Sequence, residues 1–234
     1  NPHVHITVNF MALAYKAIGK FDSPYARVVI NKDEINLQTA QPTASETEKV
    51  KTILSVVYPR WEEKKIIIFN INASDMLPQR KWMLDSFIQT ALALLAKQEN
   101  ILIVATGSKE EKTYVQTFID GVGDSRCVSV AGECCLRQLV ALYVLSTCML
   151  SNDSGPAHFA SAIPLKTFVL FGPETPELYM PLGDVECFYA GLACSPCVSA
   201  ANHRKTDCSQ PLCMQSISVE EVSSSMIDYI KSID

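Results

Sequence analysis

The sequence predicts an α/β fold of the doubly wound kind, built on a parallel sheet, and three observations carry that prediction. From Lys64 onward, short β-rich runs alternate with amphipathic stretches. Several runs, Ile66-Ile67-Ile68-Phe69 among them, are apolar at every position, the pattern of a strand covered on both faces. Thr147 to Ala162 holds one strand-to-helix unit in a single stretch: an apolar run, a few small polar residues, and a helix opening behind Gly155 with Pro156 at its first position. In such a fold, ligands are expected beyond the C-terminal ends of the strands.

Taken in order, Ile6, Phe10, Leu13, Ala14 and Ile18 recur at helical spacing, and Gly19 supplies a stop. Val28-Val29-Ile30 suits a short strand. Asn31 to Ala44 is polar and aperiodic and reads as a linker. Ser45, with Glu48 three places on, has the pattern of a capping box; Val50, Ile53, Leu54 and Val57 form the apolar face behind it, and Pro59 ends the helix. Strands are then expected at Ile66–Phe69, Ile101–Ala105, Cys127–Val130, Thr147–Ser151 and Thr167–Phe171. Between them, helices are expected around Asp85–Lys97, Glu110–Val122 and Leu136–Leu145. A last helix, capped by Ser218 with Glu221, runs through Val222, Met226 and Ile230.

At 234 residues the chain has room for one large domain, or for one domain and part of another. A net charge of -5 and a pI near 5.4 argue against a nucleic-acid binder, which needs clustered Lys and Arg. No apolar run reaches the ~20 residues of a bilayer span, and Asn1-Pro2-His3-Val4-His5 lacks the pattern of a secretory signal. A cytoplasmic protein is expected. The chain starts on Asn and enters helical periodicity at once, so upstream sequence is expected to be missing.

Four loops fall where ligand chemistry belongs. The first, Asn70-Ile71-Asn72-Ala73-Ser74 followed by Gln79-Arg80-Lys81-Trp82, suits a phosphate or a sugar, and equally a solvated loop over a core Trp82. The second, Thr106-Gly107-Ser108-Lys109-Glu110-Glu111, puts carboxylates in a first helical turn, where compensation of the helix dipole explains them by itself and is favoured over ribose binding. In the third, Asn152, Asp153, Ser154, Gly155 and His158 gather polar function at one helix start. A start built for stability needs only one capping side chain. A diphosphate is expected there, with Ser154, the Gly155 backbone and His158 as its contacts. An ionised Asp153 would repel that ligand, so its carboxylate is expected to bond loop N–H groups or a sugar hydroxyl. The fourth, Phe171-Gly172-Pro173-Glu174-Thr175-Pro176-Glu177, is a rigid turn beside the third.

The nine cysteines do not read as a disulfide framework. Cys194-x-x-Cys197 with Cys208 and Cys213 has the ligand types of a structural zinc site, but no second Cys-x-x-Cys follows, and a reduced cluster anchoring a loop is the alternative.

The block Asn152-Asp153-Ser154-Gly155-Pro156-Ala157-His158-Phe159-Ala160-Ser161-Ala162, then Leu170-Phe171-Gly172-Pro173-Glu174-Thr175-Pro176, then Cys194-Ser195-Pro196-Cys197 and Cys213-Met214, resembles the ADP-heptose:lipopolysaccharide heptosyltransferase family. The resemblance runs from about Lys64 to the C-terminus. It implies a GT-B fold of two Rossmann-like domains, of which residues 45–234 look like the donor-binding half and residues 1–44 like the tail of an acceptor domain and a linker. It further implies inverting transfer of heptose from an ADP-sugar to a lipopolysaccharide-core acceptor, without a required metal or cofactor, at the cytoplasmic face of the inner membrane. By position, Asp153, Ser154, Gly155 and His158 match the donor contacts, Arg80 the basic residue two before the Trp, and Glu110 a ribose-contacting carboxylate; Ser74 and Gly172 lie in the adjoining loops. Arg80 and a protonated His158 are then the groups that stabilise the leaving diphosphate.

Two departures follow. The family's first loop carries a Pro-Gly pair where this chain has Ile71-Asn72, and the acceptor-side base lies in the domain this chain lacks, so the chain alone is expected to bind donor without turnover. The competing reading is a non-catalytic nucleotide-sugar-binding protein. A dinucleotide oxidoreductase is disfavoured, because no Gly-x-Gly-x-x-Gly follows Ile66–Phe69.

Overall fold

The computed structural model describes residues 4–20, 29–199, 202 and 205–233. Six strands, β1 (Lys65–Asn70), β2 (Ile101–Ala105), β3 (Cys127–Ser129), β4 (Cys148–Asn152), β5 (Lys166–Phe171) and β6 (Val185–Tyr189), form one sheet in the order β3-β2-β1-β4-β5-β6. Every pairing is parallel. The chain builds outward from β1 to β3, returns, and builds outward again from β4 to β6, so the switch point lies between β1 and β4.

Alternation along β1 divides the core. Ile67 and Phe69 face one side, where α3 (Leu84–Lys97), α4 (Lys112–Val122) and the C-terminal α9 (Val219–Ser232) bring Phe87, Leu94, Phe118, Met226 and Ile230. Ile66 and Ile68 face the other, against Val50 and Leu54 of α2 (Ala44–Val57) and Val140 to Tyr143 of α5 (Leu136–Val144). Both faces are covered, which is why these strands read as unbroken apolar runs.

Three sequence expectations need correction. The capping box at the start of α2 is Thr43 with Glu46, not Ser45 with Glu48: Thr43 Oγ1 accepts from the Glu46 N–H at 3.2 Å, and Glu46 Oε2 accepts from the Thr43 N–H at 2.7 Å. Both spacings fit the motif, and Glu46 gains Arg137 of α5 at 2.9 Å, which decides between them. Val29 and Ile30 are not a strand, and Val28 lies outside the described residues. The sequence also hid β6. It is an edge strand with only Phe188 buried, so Val185-Glu186-Cys187 lacks the apolar run of its neighbours.

Upstream of α2, α1 (Ile6–Ala17) buries only Ala12 among the described residues and leaves Phe10 and Leu13 exposed. Its His5 cap approaches the Met180 carbonyl at 2.8 Å. The linker is tied to the sheet domain where the Ala40 N–H donates to the Ala162 carbonyl at 2.8 Å.

Replacing Thr43 by Ala is expected to lower unfolding free energy by about 1 kcal/mol, with Ser45→Ala inside about 0.5 kcal/mol. Urea unfolding of the two variants checks this, and equal losses would restore the Ser45 cap. The Arg137 guanidinium and the Thr43 N–H hold the Glu46 carboxyl at about 2, below its ordinary 4.5. Its contribution is therefore complete above pH 4.5 and is lost as pH falls towards about 2.

Candidate functional site

The site forms at the switch point, where the C-terminal ends of β1, β2, β4 and β5 open into the four loops. In the register, Asn70 closes β1 opposite Ser151 of β4, and Asn152 closes β4 opposite Leu170 of β5. Both asparagines are buried and their carboxamides are used inside the protein. Asn70 Nδ2 donates to Ser151 Oγ at 3.0 Å and to Ser154 Oγ at 2.9 Å. Asn152 Nδ2 donates to the Ile71 and Asn72 carbonyls at 3.0 and 3.3 Å, while its Oδ1 accepts from the Trp82 N–H at 2.9 Å.

Beyond Asn152 comes α6 (Gly155–Ala160), with Pro156 in its first turn as expected. Ser154 stands at the N-cap position but makes no side-chain cap; its hydroxyl turns back to Asn70 and Ser151. The buried Asp153 carboxylate faces the Arg80 guanidinium, Nη1 at 3.5 Å, and the His158 imidazole, Nε2 at 3.9 Å. The repulsion that an isolated Asp153 would impose on an anion is thereby offset by a guanidinium. Burial, reinforced by the charges of His5 and Arg80, pushes the half-exposed His158 below its ordinary value, so the ring is neutral at pH 7 in the free protein.

Two cavities meet at Ser154 and Gly155. One, of about 350 Å³, lies between the first and second loops and α5, with Asn72, Ser74, Thr106, Glu111, Leu136 and Leu139 in its wall. The other, of about 340 Å³, is walled by Arg80, Asp153, His158, Glu174 and Tyr179, with Ile6 and Phe10 of α1. The first combines an apolar side with polar loop groups, and the second gathers the charged ones. A molecule with a planar apolar end, an anionic centre and a polyhydroxyl end fits that sequence of surfaces.

Of the residues expected from sequence, Arg80, Asp153, Ser154, Gly155 and His158 converge on the second cavity and Ser74 lines the first. Glu110 is exposed and lines neither. Its neighbour Glu111 does, with Oε2 accepting from the Ser108 N–H at 2.6 Å. Gly172 lines neither cavity, and a Cβ there would overlap Met214 Sδ and press on Cys213 Sγ, so its missing side chain serves packing. Asn72, Thr106, Glu174 and Tyr179 were missed as wall residues. The first three sit in loops that the sequence had marked, but nothing in residue type tells which member of a loop turns inward.

The cysteines do not assemble as a zinc site. Cys194 is exposed, Cys197 and Cys208 are half-buried, Cys213 is buried, and all are free thiols. Among the described residues no three His, Cys, Asp or Glu side chains converge as metal ligands.

Fold and site together define a doubly wound, Rossmann-like α/β domain whose cavities lie at the sheet's switch point. The chain belongs to glycosyltransferase family 9 (heptosyltransferase), whose model matches residues 2–206. It is similar to lipooligosaccharide heptosyltransferase 2 of Haemophilus influenzae, with 25% identity over 182 residues, covering 75% of this chain and 49% of that protein. Similarity to lipopolysaccharide heptosyltransferase 2 of Salmonella typhimurium is 23% over 142 residues, covering 60% and 40%. Among solved structures, ADP-heptose LPS heptosyltransferase II of E. coli superposes with a TM-score of 0.64 at 19% identity, over 83% of this chain and 54% of that one. E. coli heptosyltransferase WaaC with ADP gives 0.53 at 13% identity, over 71% and 45%. The chain thus spans about half the length of the relatives it matches.

The two glycines are expected to respond oppositely to a methyl group. Gly172→Ala should cost about 1–3 kcal/mol through overpacking, whereas Gly155→Ala, whose added Cβ meets nothing within 4 Å, should stay within about 0.5 kcal/mol. Chemical denaturation measures both, and a stable Gly172→Ala would contradict the packing role.

Proposed function

We propose that residues 45–234 are the donor-binding half of an inverting glycosyltransferase. It would transfer a heptose or related sugar from a nucleotide-diphosphate donor, of the ADP-heptose type, to a lipopolysaccharide-core acceptor. The observation that carries this reading is the meeting of the two cavities at Ser154 and Gly155, with Arg80 and His158 flanking the junction. The nucleoside occupies the first cavity, against Leu136 and Leu139, with its ribose towards Thr106 and Glu111. The diphosphate lies over Gly155, where no side chain intrudes, and the sugar enters the second cavity.

In that pose the chemistry available to this chain is stabilisation of the leaving group. As the glycosidic C–O bond breaks, negative charge grows on the departing diphosphate, and Arg80 with a protonated His158 meets it electrostatically. Asp153 holds Arg80 in place and is not a nucleophile here. The group that takes the acceptor's proton is assigned outside residues 45–234, so the chain by itself binds donor and does not turn over. Residues 1–44 are assigned to the tail of the acceptor domain and the linker, a reading supported by Ile6 and Phe10 reaching the second cavity. Contact with the cytoplasmic face of the inner membrane, through the acceptor, is part of the same proposal. Among the described residues no helix is long and apolar enough to cross a membrane.

Calorimetric titration with ADP, UDP and GDP, alone and as sugar conjugates, tests the donor class. ADP compounds are expected to bind tightest; a uridine compound binding tighter overturns the assignment, and absence of all binding overturns the donor reading. Arg80→Ala should weaken ADP by roughly 10- to 100-fold, the value of a charge-assisted hydrogen bond.

The pH dependence follows from His158. A bound diphosphate favours the imidazolium and raises a pKa that is depressed in the free protein, so binding takes up a proton. Affinity for ADP should rise as pH is lowered from about 8 to about 6. Titrations in buffers of different ionisation enthalpy should show that uptake in the wild type and lose it in His158→Ala. A pH-independent affinity would exclude His158 from the anion site.

A further inference from the structure

We propose that Asn152 is the positioning residue for Arg80. It is a fully buried carboxamide that closes both ends of the 71–82 loop and so sets the cation beside the helix start. For its consequence in binding, this inference rests on the donor reading above; the brace itself does not.

The geometry is specific. The loop leaves β1 at Asn70, buries Ile71, Ala73 and Leu77 along its course, and returns to the core at Trp82. Asn152 binds it at both places, donating to the carbonyls of Ile71 and Asn72 and accepting the N–H of Trp82. These bonds fix the orientation of the amide, because the reverse would set oxygen against two carbonyls and NH₂ against an N–H. Between the two anchor points the chain carries Ser74 and Arg80, and in the next residue after Asn152 comes Asp153, 3.5 Å from the guanidinium. One side chain therefore couples the place of the cation to the place of the α6 start. Asn152 is 0% exposed and lines neither cavity, so its effect must pass through the loop it holds.

Other bonds hold single points of the loop: Gln79 Nε2 donates to the Cys208 carbonyl at 3.0 Å, Lys81 Nζ to Asp75 at 2.9 Å, the Asn72 side chain to the Thr106 carbonyl, and Asp153 meets Arg80 itself. Beside these, Asn152 is the side chain that ties the two ends of the loop to one place. Without the carboxamide, the Trp82 N–H and the Ile71 carbonyl would lose this partner and the Asn72 carbonyl would keep the 3.5 Å approach of Asn70 Nδ2, a local opening that loosens the placement of Arg80 against Asp153.

The test uses the full chain and compares ADP with AMP, which lacks the phosphate that Arg80 would meet. Asn152→Ala is expected to weaken ADP by roughly tenfold and to leave AMP within about twofold. In an Arg80→Ala background, adding Asn152→Ala should change ADP affinity no further, because the residue acts only through Arg80. Equal losses for ADP and AMP, or losses that multiply in the double variant, would overturn the assignment. A second measurement needs neither variant nor nucleotide: hydrogen exchange at the Trp82 amide of the wild type, expected to be protected to the level of the β4 amides. Exchange there as fast as at an unprotected loop amide overturns the brace, even where Asn152→Ala does not fold. Wild-type protein that binds no ADP removes the donor reading and leaves exchange at Trp82 to decide the brace.

Discussion

The parallel pairing of β1 with β4 is the constraint on which the rest depends. Ile67 to Asn70 lies against Cys148 to Ser151, and this is where the chain, having built the sheet outward to β3, returns to build it the other way. Crossovers leave the switch point on opposite faces, so the ends of the two strands are left uncovered by helix, and a crevice opens there. Each element of the site is an extension of one of these strands or an immediate neighbour. The first loop continues β1, Thr106 and Glu111 follow β2, Asp153 to His158 continue β4, and Glu174 follows β5. Moving β4 by one residue along β1 would turn its buried residues to the opposite face and separate Asp153 from Arg80.

Electrostatics at this crevice do not favour the empty protein. Asp153 is buried and its contact with Arg80 is 3.5 Å, longer than a good charge-assisted bond. Withdrawing two charges from water costs several kcal/mol per ion, which a 3.5 Å contact by itself offsets only in part. The Arg80 Nε is also buried without a hydrogen-bond partner. A structure optimised for stability alone would replace such a pair with apolar packing. An Asp153–Arg80 pair beside a half-exposed, neutral His158 suits a site where an arriving anion gives the guanidinium a second partner.

Much of this was legible in the sequence, because the information is carried by runs rather than single residues. Ile66–Phe69 and Ile101–Ala105 announced strands buried on both faces, and the polar gathering from Asn152 to His158 announced the crevice. What failed had too little burial or too many equivalent solutions. β6 buries one side chain and so shows no apolar run. Thr43–Glu46 and Ser45–Glu48 are equally good boxes until Arg137, far away in sequence, selects one. Glu110 and Glu111 are adjacent carboxylates at one helix start, and only the turn of the backbone decides which faces inward. Gly172 was expected near the ligand because it lies in the right loop, while its lack of a side chain serves Met214 and Cys213.

The two asparagines at the strand ends show why residue type was informative there although role was not. A loop that leaves a buried strand takes backbone N–H and C=O groups below the surface, where no neighbouring strand pairs them and water does not reach. A side chain that satisfies both kinds must donate and accept on one short rigid stem. Aspartate would set a carboxylate against the Ile71 and Asn72 carbonyls; serine has a single proton to share between them; glutamine would be a methylene too long for a position with no exposed surface. Asparagine alone among these meets one N–H and two carbonyls at once, as Asn152 does. Asn70 applies the same chemistry to hydroxyls, spending its two protons on Ser151 and Ser154. The polar residues at this crevice thus divide into those that could meet a ligand and those already consumed in holding the others still, and hydrogen-bond saturation is the property that separates them.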